Sequence, residues 1–564
     1  MSTIAKESRS VGEEHSSIKL EKPLRSSVSM PVVLAISASI VLGFALRINN
    51  VAKVGFAEDE INKLRAVQAY DHGDFSANAE HPMLMKVAIY LSVRGARIWH
   101  SLSGRRISDE LALRFPNILF GSLTAIPLFL LTAIFFDRAT GLWAAAFWSL
   151  GVNAITHNRI GKEDTLLVFF MLFAFYFFIK AKRVDSRQKK RMGRIRNLSA
   201  ASFGLMLASK YFPHYFGLNM LYHHFYSMRQ REPEEPRGKT PFNFFLIIAL
   251  TFLLANPAIL LPHVWEYLNA YSSEKLLTHS GYLMGNHLYR NTMSSSPFWG
   301  LPLYFYLLFL ATKVPLTVLA AALVGFVLAA RRWRHPGYGF VVFMLVFWLV
   351  PYSLIGAKWL RYTLSLMPFV YMSAAIGTIA MVRWMTHLLA SLKISAAAPI
   401  AAALVTLAIM ISPAWTAYAA GPHFALYTNL FGRNAAGYFF PHDEFYDEGL
   451  REAIEYIARV APQKSTIMTE APGVVETYLE RFGRSDLQVG VLSDPKVVIQ
   501  DQQSVFYILQ RGRTYFENQN KMNEVKARLS LVYAGCIQGH TAAEVYVAAS
   551  ASIAAVQPCG DVRP

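Results

Sequence analysis

The sequence predicts a polytopic α-helical membrane protein that ends in a small α/β domain. Three observations carry this expectation. The 564 residues are 54% hydrophobic and only 16% charged, more apolar than a soluble domain. The apolar residues gather in runs that can cross a bilayer, the first being Met30–Leu46. The basic residues, which give a formal net charge of +18, cluster between those runs: Lys182 to Arg196 holds eight Lys or Arg and one Asp, and Arg331, Arg332 and Arg334 form a second group. Clusters placed in this way mark cytoplasmic loops and argue against a nucleic-acid interface.

Residues 1–29 are polar with mixed charge and read as a disordered cytoplasmic tail. The first apolar run begins far from Met1 and has no small-residue cleavage site, so it reads as an anchor, not a signal peptide. It is span 1, at about 30–48, running from inside to outside. Residues 49–114 then form a long external loop. Within it, Pro82–Trp99 carries Lys86, Arg94 and Arg97 and reads as an amphipathic helix on the outer surface. A true span there would put the basic run 182–196 outside, against the positive-inside rule. Further spans are expected at about 115–136, 142–157, 164–181, 198–209, 213–227, 241–262, 312–330, 338–356, 363–382 and 394–413, making eleven crossings. The pair 198–209 and 213–227 is short and reads as a broken hairpin whose tip needs cover.

This topology gathers ionisable groups on one face. Glu58, Asp59, Glu60 and His81 lie in the first loop, while Arg159, Asp164, Lys210, Lys313, Lys358 and Arg361 lie at the outer ends of later spans. A single Lys at a span end is an ordinary snorkelling anchor; the shared side is what makes the set a functional candidate. The external connection 263–298 holds His279, Tyr282, Asn286, His287 and Tyr289 and has the length of a lid.

From about residue 421 the character changes. Asp447–Val460 reads as an amphipathic helix, and short apolar runs at Thr466–Met468, Val489–Leu492, Ser504–Leu509 and Glu544–Val547 alternate with helical stretches near 473–483 and 517–529. That alternation predicts a small extracytoplasmic α/β domain over 421–564, a cap or acceptor-binding module. It has no Gly-rich phosphate loop and no zinc spacing. Cys536 and Cys559, the only two cysteines, either pair there or stay free.

Several motifs occur in a telling order. Asp59-Glu60 follows the first span, then His81-Pro82-x-Leu84-x-Lys86, then Arg159-Ile-Gly-Lys-Glu-Asp164-Thr-Leu166-Leu167, then Ser209-Lys210-Tyr211. Lys313-Val-Pro315-Leu316, Lys358-Trp-Leu-Arg361-Tyr362 and Pro422-His423-Phe-Ala-Leu-Tyr427-Thr-Asn429 come after. The first four resemble motifs of protein O-mannosyltransferases, and the rest resemble patterns of bacterial relatives that include lipid A aminoarabinose transferases. The resemblance, to the C-type membrane glycosyltransferase superfamily, covers about residues 30–430. Within it the chain departs at Met83, where the mannosyltransferases have a second proline, and no β-trefoil insertion is evident.

The resemblance implies a polyprenyl-phosphate sugar donor and an inverting single displacement. A hexose such as mannose would pass to an extracytoplasmic hydroxyl, on protein Ser/Thr first, with lipid A, another glycolipid or a polysaccharide as the alternative. The site would face outward from the inner (plasma) membrane. The residues suit that chemistry. An acceptor hydroxyl needs a general base, for which Asp59 is the first candidate and Glu60 the second. A leaving phosphate needs fixed cations, here Arg361 and Arg159 with Lys358 and Lys210 as point charges. Asp59, Arg159 and Arg361 are expected to line one cavity. His81, Asp164, His279 and Tyr282 are candidates for substrate contact. An internal Arg159–Asp164 ion pair and a helix-capping His81-Pro82 are the plainer readings of those residues. No cofactor is implied. Asp59, Glu60, Glu163 and Asp164 offer oxygen ligands to a divalent cation, but the resembled mannosyltransferases imply none. A transporter or flippase of a lipid-linked substrate is the rival reading; it predicts charges in mid-span and internal repeats, and the sequence has neither.

Overall fold

The computed structural model describes residues 29–185, 187–211, 242–273, 280–292, 300–433, 435–549, 556–557 and 559. The tail before Ser29, the expected span 213–227 and His279 lie outside them. Within them the chain is an α-helical membrane protein. Six helices are long and apolar enough to cross a bilayer: Met30–Lys53, Asp109–Phe135, Asp164–Lys182, Pro336–Leu354, Met367–Ser391 and Ala398–Ala419. Phe242–Ala255 and Leu316–Arg331 are shorter apolar helices.

Helix α1 (Met30–Ile48) has one ionisable group, Arg47, which is buried. Its guanidinium is satisfied by Asn158 Oδ1 and the carbonyls of Gly43, Trp148 and Ser149, as a buried charge requires. The first loop is mostly helical: α2 (Glu58–Tyr70), then α3 (Met83–Ser103). Helix α3 leaves Leu91, Ile98, Trp99 and Leu102 exposed beside Arg94 and Arg97, the pattern of a helix lying at a bilayer surface. Helix α4 (Asp109–Leu123) starts where Ser108 accepts from Leu111 N, and α5 (Ala125–Phe135) continues it past Thr124. The hydroxyls of Ser122, Thr124 and Thr132 donate to carbonyls four residues back, which lets polar residues sit in apolar helices.

Helices α6 (Arg138–Leu150), α7 (Val152–Asn158), α8 (Asp164–Lys182) and α9 (Lys189–Ser209) follow. Helix α9 begins inside the basic run that the sequence predicts as a loop. Its first turns are exposed and Lys/Arg-rich, and a helix satisfies its backbone whether its side chains meet water or lipid. After α10 (Phe242–Ala255) and α11 (Pro262–Ser272), the connection contains a short hairpin, β1 (Tyr282–Met284) paired with β2 (His287–Tyr289). The expected span 312–330 is broken instead into α12 (Phe305–Lys313) and α13 (Leu316–Arg331). Pro315 disfavours helical dihedrals in its predecessor, and Val314 is extended at φ −95°, ψ 132°. Next come α14 (Pro336–Leu354), α15 (Met367–Ser391) and α16 (Ala398–Ala419). Helices α13 and α15 cross at Gly325 and Gly377. A Cβ on Gly377 would lie 1.9 Å from the carbonyl of Ala321, and one on Gly325 1.8 Å from that of Ser373. Only small residues permit that approach.

Beyond α16, α17 (Pro441–Phe445) and α18 (Leu450–Val460) lead into a five-stranded sheet. It is built from β3 (Thr466–Thr469), β4 (Gln488–Val491), β5 (Val505–Leu509), β6 (Ser530–Ile537) and β7 (His540–Val547), with α19 (Pro472–Arg481) and α20 (Gln519–Arg528) as its other helices. Strand order is β4-β3-β5-β7-β6. β3 pairs in parallel with β4 and β5, while β7 runs antiparallel to β5 and β6. Asp447, expected at the start of a helix, instead precedes it in a left-handed conformation, φ 65°. Cys536 and Cys559 form a disulfide. The sheet's core does not stand alone. Ile454, Val475 and Phe506 share one buried cluster with Ile61 of α2, Ile89 of α3 and Leu113 of α4, so the sheet is packed onto the first loop.

Candidate active site

Asp59 occupies the first turn of α2, where the positive end of the helix dipole favours a carboxylate. Ala57 at the N-cap has no side chain to offer, so the free amides are met from elsewhere. Glu60 Oε2 accepts from Ala57 N at 3.1 Å, and Asp447 Oδ2 accepts from Glu58 N at 3.0 Å. Tyr478 Oη accepts from Phe56 N at 2.8 Å. Arg513 then joins the two acids, reaching Asp447 at 2.6 Å and Glu58 at 2.6 Å. The end of α2 is therefore held largely by residues that follow the last long apolar helix.

Three donors converge on Asp59. Lys162 forms an ion pair with its Oδ2. Arg361 Nη1 lies at 3.2 Å and the Tyr446 hydroxyl at 2.5 Å from the same oxygen. The Asp59 side chain keeps 31% of its surface open. Burial pushes its carboxyl upward, but Lys162, Arg361 and Lys63 together hold it well below the usual carboxylate range. Burial, helped by the charge of Arg361, brings the Lys162 ammonium down to about 8. Beside the cluster is a cavity of about 10 Å³ lined by His157, Lys162, Asp164, Arg361, Asp443 and Tyr446, room for about one water.

Around this centre the sequence candidates divide. Asp164 lines the cavity and pairs with Lys210 at 2.6 Å, so its partner is not Arg159. Lys210 also lies over the Tyr362 ring at 4.9 Å. Glu60 is fully buried: Arg114 grips it at 2.8 and 2.6 Å, and it accepts from Gly161 N at 2.9 Å. Arg159 does not line the cavity. Its Nη1 donates to the carbonyls of Leu46, Arg47 and Asn49 at the end of α1, and its guanidinium stacks on Phe424. Lys358 is likewise turned away, with its ammonium on the carbonyls of Leu301 and Ile355.

His81 lies 3.9 Å from Glu163, which pairs with Lys63 at 2.8 Å. Burial pushes the His81 imidazole well below its ordinary value. Tyr282 donates to Asp443 at 2.6 Å, and Asp443 also accepts from Leu360 N at 3.1 Å. Tyr282 thus fixes a cavity acid from behind. The four acids weighed as cation ligands do not converge, since Glu60 faces Arg114, Glu163 faces Lys63 and Asp164 faces Lys210. Among the described residues no group of three or more His, Cys, Asp or Glu is placed to hold a metal ion.

His157, Lys162, Asp443 and Tyr446 are polar cavity residues that the sequence does not single out. Lys162 lies inside the Arg159–Leu167 motif, and only the turn between α7 and α8 decides that it faces Asp59 while Arg159 faces α1. Asp443 and Tyr446 belong to no local pattern. Tyr446 reaches Asp59 because it and Asp447 are both left-handed, with φ 44° and 65°.

Residues 96–260 match the family described as dolichyl-phosphate-mannose-protein mannosyltransferase. No curated protein sequence matches the chain. Among solved structures, ArnT from Cupriavidus metallidurans bound to undecaprenyl phosphate is similar at 15% identity and a TM-score of 0.51, covering 94% of this chain and 100% of that one. The apo state of ArnT gives 13% and 0.49, with 91% and 97% covered. The archaeal oligosaccharyltransferase AglB from Archaeoglobus fulgidus, in complex with an inhibitory peptide and a dolichol-phosphate, gives 11% and 0.47, with 93% and 75% covered. By its fold, and by the family match within it, the chain resembles the C-type membrane glycosyltransferases to which its motifs point.

Proposed function

We propose that the protein is a membrane glycosyltransferase that takes its sugar from a polyprenyl-phosphate donor and passes it to an extracytoplasmic hydroxyl. One observation carries the reading: a carboxylate, Asp59, is paired with two cations, Arg361 and Lys162, that line the neighbouring cavity, on a fold like that of ArnT, whose solved structure holds undecaprenyl phosphate. Asp59 takes the acceptor proton as the oxygen attacks the anomeric carbon. Arg361 and Lys162 meet the charge that develops on the departing phosphate. Lys210, paired with Asp164, adds a third positive charge. Glu60, with its oxygens taken by Arg114 and two backbone amides, positions α2 and is not the base. Arg159 and Lys358 are assigned to holding backbone, not phosphate.

The disulfide between Cys536 and Cys559 supports an oxidising, extracytoplasmic compartment for the sheet, and the cavity is on the same side. Mannose as the sugar and protein Ser/Thr as the acceptor follow from the resemblance, with lipid A, another glycolipid or polysaccharide as the alternative acceptor. The test is transfer of radiolabelled sugar from defined polyprenyl-phosphate donors by membranes carrying wild type or Asp59→Asn. Wild type transfers, and the variant falls by about 10²–10⁴-fold. No consumption of any donor by wild type defeats the enzyme reading; full transfer by Asp59→Asn defeats the assignment of the base.

A further inference from the structure

The base and the phosphate cations occupy one another. Arg361 and Lys162 both contact the same oxygen of Asp59, Tyr446 donates to it as well, and the cavity beside them has room for about one water. A sugar phosphate does not fit this arrangement, and a carboxylate held by three donors is a weak proton acceptor. The contacts must exchange before chemistry starts.

We infer that Asp59, Arg361 and Lys162 form a donor-operated latch: the donor phosphate displaces the Asp59 carboxylate from the two cations, and only then is Asp59 released to act as the base. This rests on the glycosyltransferase reading and adds an order of events to it. Without donor, the cations are neutralised by Asp59 and the base is silent. With donor, phosphate oxygens replace the carboxylate on Arg361 and Lys162, where Arg offers a planar, bidentate fit. Asp59 then keeps the Tyr446 hydroxyl and turns its open face to the acceptor. The acceptor O–H proton passes to Asp59, the acceptor oxygen bonds to the anomeric carbon, and the bond from that carbon to the phosphate oxygen breaks. Its electron pair leaves with the polyprenyl phosphate.

The latch makes a prediction opposite to that of a shared binding role. Asp59 competes with phosphate, so removing its charge tightens ligand binding while ending transfer. The probe is undecaprenyl phosphate, titrated into full-length wild type and Asp59→Asn in lipid nanodiscs, with Asp59→Ala as the second variant should the first not fold. Asp443→Asn is the control, because it removes a cavity acid that accepts from Tyr282 and Leu360 N and not from the cations. The expected result is binding at least about tenfold tighter in an Asp59 variant and a much smaller gain in Asp443→Asn. Equal tightening in both reduces the effect to general charge repulsion and overturns the latch. Unchanged or weaker binding in the Asp59 variants also overturns it. These outcomes are separate from the failure of the donor reading, which would show as wild type neither binding undecaprenyl phosphate nor consuming any polyprenyl-phosphate sugar.

Discussion

The hydroxyl of Tyr446 donates to Oδ2 of Asp59 at 2.5 Å, across 387 residues of sequence. The bond depends on a left-handed backbone at Tyr446 and Asp447, which costs about 1–3 kcal/mol per residue. Asp447 is fixed by Arg513, and that contact holds the conformation in place. Tyr446→Phe keeps the ring and loses the bond. A hydrogen bond to a charged group contributes about 1.5–3 kcal/mol to the folded state, so the thermal unfolding temperature is expected to fall by a few degrees, and an equal loss at the transition state lowers turnover about 10–100-fold. Steady-state transfer assays and a melting curve check both parts.

Lys162 sets an alkaline limit. In the proposed mechanism its protonated form holds the phosphate, and burial has brought that ammonium down to about 8. Activity should therefore fall as pH rises through about 8, because the charge is lost upward through the folded value. Lys162→Arg keeps a charge that does not titrate in this range. The alkaline limb of the pH–rate profile should move up or vanish in that variant, whatever its absolute rate.

Glu60→Gln tests structure apart from chemistry. The substitution leaves Arg114 buried at 2% exposure with its countercharge gone. Breaking one side of such a pair costs about 3–5 kcal/mol. The expected outcome is low folded yield or a large drop in thermal stability, while the fraction that folds keeps an Asp59-dependent activity. Size-exclusion recovery and specific activity of the monodisperse peak separate the two effects.

Arg513→Met removes the cation between Asp447 and Glu58. Two acids are then left facing each other at the start of α2. Amide hydrogen exchange over Glu58–Ile61 should speed up by about tenfold or more, and turnover should fall with it. Exchange in α13 and α15, remote from Arg513 and packed at Gly325 and Gly377, should stay at the wild-type rate.

Much of the helical framework was readable because an apolar run of sufficient length is a one-dimensional signal. The start of α9 was not, since Lys189–Arg196 carries loop-like charges on a helical backbone. The break at Val314-Pro315 is marked in the sequence by the proline, but the hydropathy around it reads as one continuous span. In the sheet, the runs at β3, β4, β5 and β7 showed in the sequence, whereas β6 was missed. Its pairing with β7 slips at Leu531/Tyr533 and Gly535/Cys536, which blurs the alternation that marks a strand. At the site, Asp59, Arg361, Lys210 and Asp164 stood out as charges at apolar boundaries. Arg159 and Lys162 are three residues apart in one turn, and no pattern in the chain says which of them faces the cavity. Tyr446 and Asp443 come from the far end of the sequence, where only tertiary packing brings them to α2.

Asp447 caps the helix that carries Asp59 although 389 residues of chain separate it from Glu58. A ribosome making this protein finishes every long apolar helix among the described residues before it reaches Asp443, Tyr446, Asp447 and Arg513. A nascent chain thus has its membrane helices in place while the end of α2 is still uncapped and the cavity still lacks two of its walls. On the proposed function, competence for chemistry waits for that last segment, and a chain clipped before residue 513 is expected to transfer no sugar.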